Sequence, residues 1–186
     1  MDPNAIELGV KVRSEVDGAI TGIRFFKGSA NTGTHVGNLW ASDGTLLASA
    51  TFSNETASGW QQVDFSEPVP ISANTVYVAS YHAPNGGYAA DASYFAGAGV
   101  DNAPLHLLAD GENGGNGVYR YGPGGFPNQS WNAANYWVDV VFIVDPPDPG
   151  SDTTPPSVTL TAPVDGATDV APGTTVTATF SEAMDG

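Results

Sequence analysis

The sequence predicts an all-β protein: an antiparallel β-sandwich of jelly-roll-like form, followed by a shorter, incomplete β unit. Three observations lead there. Short runs of alternating apolar and polar residues recur between turn signals at strand-sized intervals, which is the pattern of stacked sheets. No window of about 11 residues or more carries a 3.6-residue apolar period. Charged residues make up only 13%, roughly half the usual share, while the chain holds 23 Gly and 14 Pro. Such a chain builds its surface from hydroxyls, amides and turn residues rather than from ion-paired helices.

The elements follow in order. Leu8, Val10 and Val12 alternate with Gly9, Lys11 and Arg13. Ile23 and Phe25 alternate with Gly22, Arg24 and Phe26. Asn38-Leu39-Trp40 leads through a Ser42-Asp43-Gly44-Thr45 turn into Leu46–Phe52, and an Asp-Gly pair between apolar runs is a hairpin signal. Trp60, Gln62 and Asp64 against Gln61, Val63 and Phe65 read as the next strand, and Val76, Val78 and Ser80 against Tyr77, Ala79 and Tyr81 as another. A helical turn is expected over Ala103–Leu108, with Pro104 in its first turn. Tyr136–Val144 is apolar on nearly both faces and is expected to be a central strand. Within it Asp139 is expected to be buried against Arg24 or Arg13, because a lone buried carboxylate is costly.

A Pro- and Asp-rich linker is expected over 145–156, stiffened by its prolines and extended by its acids. The β pattern resumes with Val158 and Leu160, a Pro163-Val164-Asp165-Gly166 turn and Thr175–Phe180. The expected organisation is therefore a sandwich over 1–144, a linker over 145–156 and the opening of a second unit over 157–186.

Charge narrows the partners. Five Lys and Arg against 20 Asp and Glu give a net charge of −15, which repels nucleic acid and anionic membrane surfaces. Calcium and neutral polysaccharide remain compatible. The absence of cysteine excludes disulfides, thiolate metal sites and thiol nucleophiles. The longest apolar run away from Ala and Gly, Val140–Val144, is too short to span a bilayer, so no membrane insertion is expected. The first residues, Met1-Asp2-Pro3-Asn4, are acidic and lack the apolar stretch of a signal peptide. An internal fragment of a longer exported precursor is expected.

Several motifs occur in order over the first region: Glu7–Val12, Ile23–Lys27, His35–Trp40, Gly59–Val63, Tyr77–His82 and Asn135–Val140. Together they resemble a bacterial extracellular family known as domain of unknown function 4082. Asp152–Val158, Ala171–Thr174 and Phe180–Asp185 resemble the opening of a bacterial Ig-like domain. The resemblances imply a secreted, extracellular or cell-surface-attached multidomain protein with neighbouring Ig-like domains. They supply no catalytic or ligand-contacting residues.

The candidate ligand-binding residues come from the sequence itself. Sugar rings have an apolar C–H face that aromatic planes can cover, while amides and carboxylates bond the hydroxyls. Two Gly-rich aromatic loops, His82–Tyr88 and Tyr119–Phe126, sit where function tends to sit. They nominate His82, Asn85, Tyr88, Tyr119 and Tyr121, joined by Trp131, as a site for polysaccharide or cell-surface glycan. Trp40, Trp60 and Trp137 fall on strands and read as core. Asp110, Glu112, Asn113 and Asn116 offer hard oxygen ligands in one loop and nominate calcium as a cofactor, although the carboxylate spacing is not that of an EF-hand. A solvated hairpin tip has the same composition. No pair of acids is singled out for glycoside hydrolysis, the three His are scattered, and no nucleophile or phosphate-loop motif occurs. The expected function is non-catalytic carbohydrate recognition. The alternative is a structural or adhesive spacer in a repeat-built surface protein.

Overall fold

The computed structural model describes residues 2–144 and 156–181. The chain divides into two compact units, Met1–Asp145 and Pro146–Gly186. The expected linker lies outside the described residues, apart from Pro156.

The first unit contains β1 (Ile6–Ser14), β2 (Gly18–Lys27), β3 (Val36–Ala41), β4 (Leu46–Thr51), β5 (Gly59–Ile71), β6 (Val76–Ala83), β7 (Val100–Asn102), β8 (Leu105–Leu107), β9 (Val118–Tyr121), β10 (Gln129–Ser130) and β11 (Val138–Val144). The larger sheet runs β10-β9-β1-β6-β3-β4, with β8 also on β1 and β7 on β8. The smaller runs β11-β2-β5. All of these pairs are antiparallel. The alternation read in the sequence sets which side chains meet between the sheets, because successive strand residues face opposite ways. Ile6, Leu8, Val10 and Val12 from β1, Tyr77, Ala79 and Tyr81 from β6, and Ile23 and Phe25 from β2 fill the interior. Phe25 stacks on Tyr81 with ring centroids 4.1 Å apart and meets Phe52 edge-on at 4.8 Å.

Three expectations are corrected here. β11 is not central but an edge of the smaller sheet. Val138 and Val140 face the core, while Val141 and Phe142 line an open depression with Pro104 and Leu105 of the β7–β8 hairpin, and Ile143 and Val144 are exposed. The helical turn over Ala103–Leu108 is that same hairpin, with β8 paired to β1 through Leu107 opposite Val12; the sheet edge decides the conformation. The buried acid is Glu7, not Asp139. Asp139 does pair with Arg24, at 3.4 Å, but its side chain is 38% exposed. Glu7 is 0% exposed because the Gly124–Pro127 segment lies over the outer face of β1: Gly124 sits above Glu7 and His82, and Pro127 above Gly9.

The described part of the second unit is an antiparallel pair, β12 (Val158–Ala162) and β13 (Thr177–Phe180). Its apolar side chains Val158, Leu160 and Phe180 are exposed.

Candidate functional site

β9 extends the larger sheet past β1, with Tyr119 opposite Leu8 and Tyr121 opposite Ile6. Alternation therefore puts both tyrosines on the inward-facing side and Arg120 on the other. Tyr88 reaches the same place from the loop after β6, and Trp131 and Tyr136 from the segment between β10 and β11. With Ile6 these five rings line one open cavity of about 250 Å³. Tyr136, 4% exposed, forms the floor, while Tyr121 at 49% and Trp131 at 59% stand at the mouth. The rings meet edge-on: Tyr88 with Tyr136 at 5.8 Å, Tyr119 with Tyr121 at 5.7 Å and Tyr119 with Tyr136 at 6.5 Å.

Local backbone explains how Tyr88 arrives. Gly86 and Gly87 both have positive φ (61° and 69°), and a Cβ on Gly86 would lie 2.1 Å from the Asp2 carbonyl oxygen. Only glycine permits that close approach, and Gly87 N–H then donates to the Asp2 carbonyl at 2.9 Å. The Tyr121 hydroxyl donates to the Asp2 carboxylate. That bond raises the Tyr121 hydroxyl pKa and lowers that of Asp2. Burial pushes the Tyr88 and Tyr136 hydroxyls up as well. These three phenols stay neutral around pH 7 and offer the cavity both donors and acceptors.

Four of the six nominated ligand residues thus share one cavity: Tyr88, Tyr119, Tyr121 and Trp131. His82 does not. Its neighbour Tyr81 points into the core, so His82 faces the outer side of the sheet, with Nδ1 3.6 Å from Glu7 Oε2. Asn85 is exposed beside Thr32, to whose Oγ1 it donates at 3.4 Å, and lines no part of the cavity.

The loop nominated for calcium is tied to β1 and to itself by hydrogen bonds and an ion pair. Among the described residues no three His, Asp or Glu side chains gather as metal ligands. Glu112 pairs with Arg13 at 3.2 Å, Asn113 accepts from Lys11 Nζ through its carbonyl, and Asp110 accepts the Asn116 N–H at 2.9 Å. Asn116 is fully buried and organises the loop. Its Oδ1 accepts from Lys11 N at 2.9 Å and Gly117 N at 2.7 Å, and its Nδ2 donates to the Leu108 carbonyl at 2.6 Å. Asn116→Ala leaves these buried groups unpaired, so a loss of about 2 kcal/mol is expected in urea denaturation. The calcium nomination predicts a rise in melting temperature on calcium addition, and an unchanged melting temperature would remove it.

Trp40 is buried as expected, at 8%, with Nε1 donating to Ser80 Oγ at 2.8 Å. Trp60 is not core: it is 43% exposed. Trp137 is half-buried, 6.5 Å from Trp60, and Tyr94 lies 5.5 Å from Trp137. These three line a second depression that the aromatic-loop reading missed. The signal was present, because Trp60 shares strand parity with Gln62 and Asp64, the polar face of β5.

Two packed antiparallel sheets with open aromatic depressions define an all-β domain of sandwich-like form. The chain belongs to the family described as Domain of unknown function (DUF4082), whose model matches residues 1–138. Residues 152–186 match a Bacterial Ig-like domain. No curated protein and no solved structure matches the chain.

Proposed function

We propose that this jelly-roll-like sandwich is a carbohydrate-binding module of a secreted or cell-surface bacterial protein, and that it holds neutral glycan in the cavity of Tyr88, Tyr119, Tyr121, Trp131 and Tyr136. The observation that carries the reading is the convergence of five aromatic rings on one open cavity with Trp131 left 59% exposed at its mouth. Large exposed aromatics gathered on a concavity mark binding surfaces. At about 250 Å³ the cavity is smaller than the roughly 300–1,000 Å³ clefts that enclose drug-sized ligands. It therefore suits one ring or a chain end. The net charge of −15 disfavours anionic glycans.

Trp131→Ala and Tyr121→Ala test this. Trp131 is 59% exposed, so its variant is expected to melt near the native chain, while Tyr121, half-exposed and bonded to Asp2, is expected to lose a little stability. Retention on a polysaccharide that the native chain binds is expected to fall at least about tenfold, or about 1.4 kcal/mol, in affinity electrophoresis or pull-down. The neighbouring Ig-like match favours the second reading, a structural or adhesive spacer. No retention of the native chain on any neutral polysaccharide would leave that reading standing.

A further inference from the structure

We infer that the groove between β11 and the β7–β8 hairpin, centred on Trp60, Tyr94 and Trp137, is a second binding surface for neutral polysaccharide, placed so that one extended chain reaches both sites. The groove consists of a depression of about 210 Å³ and a neighbouring one of about 330 Å³ that share Asn102, Leu105, Asp139 and Val140. The shared lining makes the two depressions continuous, as a site for a polymer requires.

The aromatic end is held in advance. Trp137 has φ 55°, a conformation uncommon for so bulky a residue. Its backbone N–H donates to Asn135 Oδ1 at 2.7 Å and its Nε1 to Asp91 Oδ2 at 2.8 Å. The Arg24 guanidinium lies 5.0 Å from the Trp60 ring centroid, a cation–π contact that orients the indole. Rings fixed before binding lose little side-chain entropy on contact.

The polar groups choose the ligand class. Arg24 and Asp139 neutralise each other at 3.4 Å, so the groove offers donors and acceptors without a cation left over for phosphate or carboxylate. Gln62 and Asn102 add amides. A peptide strand adding to β11 meets a poor template. The Val140 N–H is already taken by Asp139 Oδ1 at 2.8 Å, which removes one donor from any added ladder.

Two chain segments, linked at Asp91 and Asn135, contribute rings to both sites. Tyr88 and Tyr94 come from one segment, and Trp131, Tyr136 and Trp137 from the other. Along β1, Tyr119 of the first site pairs at Leu8 and Leu107 of the second at Val12. Those positions are four residues apart, or roughly 13 Å. The spanning arrangement rests on the proposed first site; sugar binding by the groove itself does not.

The test uses the full chain on cellulose, chitin, xylan and galactomannan, with Trp60→Ala, Trp131→Ala and the double variant. Each single variant is expected to bind the polymer at least about tenfold more weakly with an unchanged melting temperature, and the double variant to lose retention. Trp60→Ala binding like the native chain on every polymer that Trp131→Ala weakens would overturn the second surface while the first stood. Weakening by Trp60→Ala alone would keep the groove and remove the first site. No retention of the native chain on the panel would remove both. Selection from a displayed library of peptides that Trp60→Ala no longer binds, with polysaccharide retention untouched, would reassign the groove to protein.

Discussion

Phe25→Ala is expected to destabilise the first unit by about 3–5 kcal/mol, a large share of the roughly 5–15 kcal/mol that holds a domain folded. Phe25 is 0% exposed near the C-terminal end of β2, the central strand of the smaller sheet. Its ring stacks on Tyr81 of the opposing sheet at 4.1 Å, meets Phe52 at 4.8 Å and lies 4.9 Å from His35. Truncation removes the atoms that join the two sheets and leaves a void among rigid rings that cannot collapse into it. Urea denaturation followed by tryptophan fluorescence reads the loss directly. Phe25→Leu retains most of the volume and is expected to lose less than half as much. A loss under about 1 kcal/mol for the alanine variant, far below the usual range, would show that the sheets are not joined there. The substitution also reaches the groove. Val138 pairs with Phe25, and the next residue, Phe26, donates its N–H to the Trp137 carbonyl at 2.9 Å.

Much of this was legible in the chain, and the limits have physical causes. Alternation marks β1, β2 and β6 because each has one face fully inside: Leu8, Val10 and Val12, then Ile23 and Phe25, then Tyr77, Ala79 and Tyr81. The short strands β7, β8, β9 and β10 carry too few residues to show a period, and pairing at the sheet edge creates them. For β11 the apolar run Val140–Val144 suggested a central strand, but Ile143 and Val144 lie exposed at the end of an edge strand, and a short apolar run does not by itself distinguish the two. The aromatic cavity was legible as composition, since Tyr88, Tyr119, Tyr121 and Trp131 lie in or beside Gly-rich loops. His82 was misplaced for want of one step of parity: once Tyr81 is assigned to the core, His82 must face away. The same step, applied to Trp60 beside Gln62 and Asp64, would have placed that indole in solvent. The burial of Glu7 had no local signal at all, because the Gly124–Pro127 segment that covers it is more than a hundred residues away in sequence.

That buried carboxylate gives the protein a pH-dependent stability with a defined sign. Glu7 Oε1 accepts from Asn38 Nδ2 at 2.8 Å and from Ser80 Oγ at 2.5 Å. Oε2 and the facing His82 Nδ1 have no partner among the described residues, and at 3.6 Å they are too far apart for a hydrogen bond. Burial outweighs the hydrogen bonds and raises the Glu7 carboxyl from 4.5 to about 7. A raised carboxyl means that the folded state holds the proton more tightly than the unfolded state. Its stabilising contribution is therefore full below about pH 4.5, falls as pH rises, and is gone above about pH 7. The span corresponds to about 3 kcal/mol. His35 and His82 act in the opposite direction. Burial lowers both below 6.5, so their contribution is present above that pH and is lost as pH falls through their folded values. The native chain alone shows the balance of these effects, and Glu7→Gln separates them. Glutamine keeps an acceptor for Asn38 and Ser80, and its amide nitrogen adds a donor facing His82 Nδ1. The variant is expected to be more stable than the native chain at pH 8, by up to about 3 kcal/mol, and close to it at pH 5. Paired urea titrations at the two pH values check this. A gap that stays constant with pH, or a variant that is weaker at pH 8, would mean that Glu7 is ionised at no cost and that solvent or a cation reaches it beneath the Gly124–Pro127 segment.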